Sequence, residues 1–140
     1  MAVGWMEPAE CRNLLVLVES VTAPLLIQHE SPVCLELDID LSLPIPCNKQ
    51  RTADLITALF SRALQAMSDG GDLTITACET PDGIELEIAD SGTDVGERER
   101  HLPIAAAAID ADLTWQNCPQ GGVAVTIRFP TQSKRNRLAA

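Results

Sequence analysis

Side chains able to do chemistry are few in this chain: Asp90 and Asp94 in the stretch Asp90-Ser-Gly-Thr-Asp94, the arginines Arg62, Arg98 and Arg100, two histidines and five cysteines. An aspartate followed two residues later by glycine offers a carboxylate acceptor beside backbone that a ligand can approach closely. Asp90-Ser-Gly92 also makes an ordinary strand-end turn. Arg62 reads either as a direct anion partner or as a solvated or acid-paired surface arginine. Glu97-Arg-Glu-Arg100 reads as a solvated turn or helix entry, with Arg98 and Arg100 as phosphate hooks the alternative. His29 and His101 lie in loops or at element ends, as surface histidines do. Cys11, Cys34, Cys47, Cys78 and Cys118 are odd in number, widely spaced and never C-x-x-C. They read as buried free thiols, not as zinc ligands or a disulfide framework.

The elements that must position these groups follow from periodicity. From Ala9 to about Gln28, apolar residues at Cys11, Leu14, Leu15, Val18, Val21, Leu25 and Leu26 keep helical spacing, and Pro24 should kink or end that helix early. In Val33 to Asp40 every second residue is apolar, giving a strand with one core face and one acidic face. The loop Leu43-Pro-Ile-Pro-Cys47 leads to Asn48, an N-cap for a helix to about Met67. Strands Leu73 to Glu79 and Ile84 to Asp90 flank the turn Thr80-Pro-Asp-Gly83. A short helix at about Pro103 to Asp110 precedes a hairpin of Leu113 to Asn117 and Val123 to Phe129, with Trp115 on the core side. The order predicts an α+β fold: a two-layer α/β sandwich whose mixed, mostly antiparallel sheet carries helices on one face.

Length and charge bound the rest. The 140 residues fit one domain. We expect an N-terminal extension at 1–8, a single domain at 9–131 and a flexible tail at 132–140. A formal charge of −10 is the wrong sign for a surface that holds nucleic acid. The apolar run from Leu14 to Ile27 is broken by Glu19 and Pro24, so no membrane span is expected. Met1 to Glu10 lacks the pattern of a signal peptide, which implies a cytoplasmic protein. Trp5 is a candidate contact residue if exposed, because aromatic residues are otherwise scarce.

The segments LITALFSRALQAMSDGGDLTI (55–75), IELEIADSG (84–92) and GGVAVTIRFP (121–130) resemble the ATP-binding domain of bacterial sensor histidine kinases. That domain belongs to the GHKL (Bergerat-fold) superfamily, and the resemblance covers roughly residues 10–130. It implies the histidine-kinase-like ATPase fold. It also implies that Asp90 and Gly92 form the adenine-reading corner of the first glycine box, while Asp94 replaces that box's second glycine. The register Arg62-Ala-Leu-Gln-Ala66 puts Arg62 where the family keeps a Mg²⁺-binding asparagine, and Ala58 one turn earlier. A guanidinium has no acceptor for a hard cation. Between Gly92 and Pro103 stands only TDVGERERHL, where the family carries a long lid and a second glycine-rich motif. The two-helix dimerisation domain that precedes the family's ATP-binding domain is not expected here either, since only about ten residues come before the first helix.

These departures imply a catalytically inactive domain that works by protein-protein interaction in bacterial signal transduction, with no catalytic residue, no metal and no cofactor. Its partner would be a histidine kinase dimerisation domain or a response regulator. An alternative is a nucleotide-binding module that takes ATP or ADP without Mg²⁺ through Asp90 and Gly92. A further alternative is a stand-alone GHKL serine kinase of the anti-sigma-factor type.

Overall fold

A computed structural model describes residues 12–94, 96 and 109–130 of the chain. Helix α1 (Leu14–Gln28) starts at Asn13, whose side chain accepts from the backbone N–H of Val16 at 2.9 Å. Helix α2 (Lys49–Gln65) starts at Asn48, whose Oδ1 accepts from the N–H of Arg51 at 3.0 Å. Both asparagines satisfy donors that a helix leaves unpaired in its first turn. Pro24 lies inside α1 and does not end it. The hydrogen bond a proline forfeits is offset by Leu25 and Leu26 beyond it, which pack against the core.

Five strands follow the expected order: β1 (Val33–Asp38), β2 (Gly71–Thr80), β3 (Gly83–Asp90), β4 (Asp112–Asn117) and β5 (Val123–Pro130). They form one sheet in the order β1-β2-β3-β5-β4. The β1–β2 pair is parallel, with α2 as its crossover, and the other three pairs are antiparallel. Alternation sorts the two faces. Leu73, Ile75, Leu86, Ile88, Ile127 and Phe129 are buried in one cluster with Leu14, Leu17, Leu55, Ile56 and Phe60 of the helices. Glu36 and Asp38 of β1 and Glu87 of β3 point away from it. This is the mixed, helix-covered α+β sandwich that the sequence predicts.

β1 stops at Asp38, two residues before the alternating pattern runs out. There Asp40 turns the chain: its Oδ1 accepts from Ser42 N–H at 2.8 Å and its carbonyl from Leu43 N–H at 3.1 Å. The Leu43 carbonyl in turn accepts from Leu14 N–H at 3.0 Å, fastening this turn to the start of α1.

The cysteines depart from expectation. Cys34 and Cys78 are exposed, Cys47 and Cys118 are half-buried, and all four are free thiols. Cys34 and Cys78 occupy outward positions of β1 and β2, so strand alternation overrides the usual preference of a thiol for the interior. Trp115 is half-buried and packs against the core. The short helix expected at Pro103 to Asp110 falls outside the described residues as far as 108, as do Trp5, Cys11, Arg98, Arg100, His101 and both terminal extensions.

Candidate functional site: the Asp90 corner

Asp90 closes β3 on the face that bears Ile84, Leu86 and Ile88, so an acid follows three apolar residues at strand spacing. It is 6% exposed. Its Oδ1 accepts from the N–H of Gly92 at 2.9 Å, which folds Asp90-Ser-Gly92 into a tight turn. Ser91 locks the turn to β2 twice: its N–H donates to the Asp72 carbonyl at 3.1 Å, and its Oγ accepts from Asp72 N–H at 3.0 Å. Thr93 N–H then donates to the carbonyl of Ala66, at the C-terminal end of α2, at 3.3 Å.

Glycine is required here by close approach. A Cβ on Gly92 would lie 2.5 Å from the Ala66 carbonyl oxygen and 2.9 Å from its carbon. A Cβ on Gly122 would overlap the Asp90 carbonyl, and one on Gly71 would meet Ser91 Oγ and Met67 Sδ. Gly71 and Gly122 also hold positive φ, 156° and 90°. The chain at Ala66, Gly71 and Gly122 thus converges on the Asp90-Ser-Gly92 turn. Gly71 and Gly122 each end a Gly-Gly pair, Gly70-Gly71 and Gly121-Gly122, which marks a turn, and nothing in their spacing signals that both abut the same aspartate corner.

The structure therefore brings Asp90 and Gly92 together in an ordered corner against the end of α2. Arg62 sits one helical turn before Ala66, half-buried, and its carbonyl accepts from Ala66 N–H at 3.1 Å. That places its backbone about 6 Å along the helix from the residue that Gly92 touches. Asp94 is exposed beyond the box. A histidine contact stiffens the neighbourhood. His29 follows the last residue of α1, and its Nε2 lies 3.0 Å from the Met67 carbonyl, so a protonated Nε2 donates to it. Ser31 Oγ donates to the Ser68 carbonyl at 2.5 Å. Among the described residues no group of three or more His, Cys, Asp or Glu is arranged to hold a metal ion, and no helix is long and apolar enough to cross a membrane.

No family model and no curated protein matches the sequence. Solved structures do match the fold. The Acinetobacter baumannii histidine kinase AdeS superposes with a TM-score of 0.69 at 20% identity, over 88% of this chain and 67% of that one. The histidine kinase domain of the Erythrobacter litoralis EL346 blue-light activated histidine kinase gives 0.67 at 18%, over 89% of this chain and 64% of that one. The catalytic domain of histidine kinase ThkA gives 0.67 at 16%, over 85% of this chain and 94% of that one. The chain thus spans nearly all of an isolated catalytic domain but about two thirds of the Erythrobacter domain. Its fold is that of the histidine kinase ATP-binding domain.

Proposed function

We propose that the chain is a catalytically inactive histidine-kinase-like domain that acts by binding another protein in bacterial signal transduction. The observation that carries this reading is Arg62. It stands in the last turn of α2, one turn from the glycine corner, at the position where the resemblance calls for a metal-binding asparagine. Mg²⁺ takes oxygen ligands in near-octahedral array, and a guanidinium supplies only donors and a positive charge. Without the metal, a triphosphate loses the ion that neutralises its charge during phosphoryl transfer. Asp94 adds an exposed carboxylate next to the corner, which repels the same phosphates.

What the chain keeps is the scaffold: the sheet, both capped helices and the packed junction between β3 and α2. In the resemblance, such a scaffold docks on a pair of dimerisation helices or on a response regulator, and those are the partners proposed here. The test is affinity capture from a bacterial extract with the full chain as bait. Enrichment of a two-component protein is expected, and repeated capture that enriches none would overturn the reading.

A second reading has one observation in its favour. Asp90 is buried and held by Gly92 in the corner where an adenine amino group would donate to it. In that reading ATP or ADP binds without Mg²⁺. Stabilisation of the fold by either nucleotide in EDTA, abolished by Asp90→Ala, would support it.

A further inference from the structure

At the far end of β3 from Asp90, about 24 Å away at the usual strand rise, two depressions adjoin. One, a shallow open depression of about 560 Å³, lies between the loop Pro44-Ile-Pro46, the β2–β3 turn at Pro81 and the end of β5 at Pro130, with Glu79 also on its wall. The other, about 310 Å³, is lined by Asp82, Glu85, Asp110, Asp112 and Arg128. Thr80, Ile84 and Pro130 line both, so the two share a wall, one depression rich in proline and the other in acidic side chains.

The proline-rich depression is lined by four prolines and two isoleucines together with Glu79, Thr80 and Gly83. Proline rings fix φ and carry no N–H, so the four prolines of this wall lose little freedom and add no backbone donor to be paired when covered. The turn behind it is braced by Thr80 Oγ1, which donates to the Gly83 carbonyl at 3.0 Å. Among its described lining residues the acidic depression carries one cation, Arg128. Arg128 pairs with Glu85 at 3.5 Å and donates to Thr114 Oγ1 at 3.2 Å. Among the described residues no ion pair engages Asp82, Asp110 or Asp112, and all three are exposed.

We infer that this groove docks a basic peptide segment of a partner protein, with an aliphatic side chain in the proline-lined half and Lys or Arg against Asp82, Asp110 and Asp112. The inference rests on the reading of the chain as a protein-binding domain and names the partner's chemistry. Charge complementarity carries the choice of occupant. Three exposed carboxylates that no cation among the described residues pairs, in a chain of formal charge −10, attract cations and repel nucleic acid, phosphopeptides and a second copy of the chain. The adjoining proline rings and isoleucines require more than charge, because a purely cationic segment would leave them uncovered.

The probe is a fluorescein-labelled synthetic peptide with one leucine followed by alternating Lys and Arg, titrated with the full chain by fluorescence anisotropy. Saturable binding is expected, at least tenfold weaker for the D82N/D110N/D112N variant and about tenfold weaker when the peptide's leucine is replaced by serine. Glu36→Gln, an exposed position on edge strand β1, should leave it unchanged. No binding, or equal affinity for the triple variant, would overturn the proposal. So would indifference to the leucine, which would reduce the contact to diffuse charge attraction. Binding that emerges only after Lys134, Arg135 and Arg137 are changed to Gln would make the chain's own basic residues the competing occupant and equally overturn it. If the peptide fails while affinity capture still enriches a two-component protein, the groove is wrong and the protein-binding reading stands. A peptide that binds as expected while capture enriches no two-component protein would support the groove and remove the two-component partner.

Discussion

Gly121 and Gly122 are neighbours in one turn with nearly the same backbone, φ 101° and 90°, yet alanine at the two positions should have different consequences. A Cβ on Gly121 meets nothing within 4 Å, whereas one on Gly122 overlaps the Asp90 carbonyl and lies 2.8 Å from Ser91 Cα. Both substitutions force an L-residue into left-handed backbone, at about 1–2 kcal/mol. Gly122→Ala must in addition push β5 away from the end of β3, an overpacking cost of about 1–3 kcal/mol. Gly121→Ala is therefore expected to destabilise by about 1–2 kcal/mol and Gly122→Ala by about 2–5 kcal/mol. Urea unfolding of the two variants, with the slope unchanged and the midpoint shifted, isolates the difference. For a 140-residue chain, each kcal/mol should also lower Tm by about 3–5 °C. Equal loss at the two positions would refute the idea that Asp90 is held by close backbone approach, because the conformational cost is common to both.

Other expectations follow from single contacts. Asn48→Ala should cost about 1 kcal/mol of stability by uncapping α2, and Asn48→Asp, which keeps the acceptor, should restore most of it in the same melt. His29→Ala removes the contact to the Met67 carbonyl and should cost about 1 kcal/mol, whereas His29→Gln should be milder; equal losses would place the contribution in packing. Asp40 accepts backbone and side-chain hydrogen bonds from Ser42, which hold its carboxyl below the ordinary 3.8 against a small opposing effect of burial. Because the folded value is lowered, its contribution is present above pH 3.8 and is lost as pH falls through the folded value. An NMR titration should follow that order, and Asp40 titrating at or above the ordinary value would contradict it. Arg62→Asn alone should produce no ATP turnover, and measurable turnover in that variant would show that the rest of the phosphate-binding apparatus is intact.

Much of this architecture is legible in the sequence because alternation and capping are local. Val33, Leu35 and Leu37 face inward as their spacing requires, and Asn13 and Asn48 begin helices as their side chains allow. The parallel partnership of β1 and β2 is not legible as a pattern, since parallel pairing leaves no turn signature between the strands. Cys34 and Cys78 depart from expectation because strand position outranks residue type. Of the two outcomes expected of Pro24, a kink or an early end, the early end does not occur: α1 runs to Gln28, with Leu25 and Leu26 packed on the core. At the site, Asp90 and Gly92 are visible as a motif, but Gly71 and Gly122 are visible only as turns. Their role depends on which backbones meet in space, and a sequence does not print that. The same holds for the groove, whose prolines come from three segments far apart in the chain.

A histidine-kinase fold without metal-dependent chemistry is tested most directly by unfolding the full chain in ATP with Mg²⁺ and with EDTA while following phosphate release. A ligand that binds the native state at 100 times its Kd adds about 2.7 kcal/mol to stability, a shift that is easily read. The expected result is no stabilisation that depends on Mg²⁺ and no phosphate released. A Mg²⁺-dependent rise in Tm accompanied by steady phosphate release would contradict it.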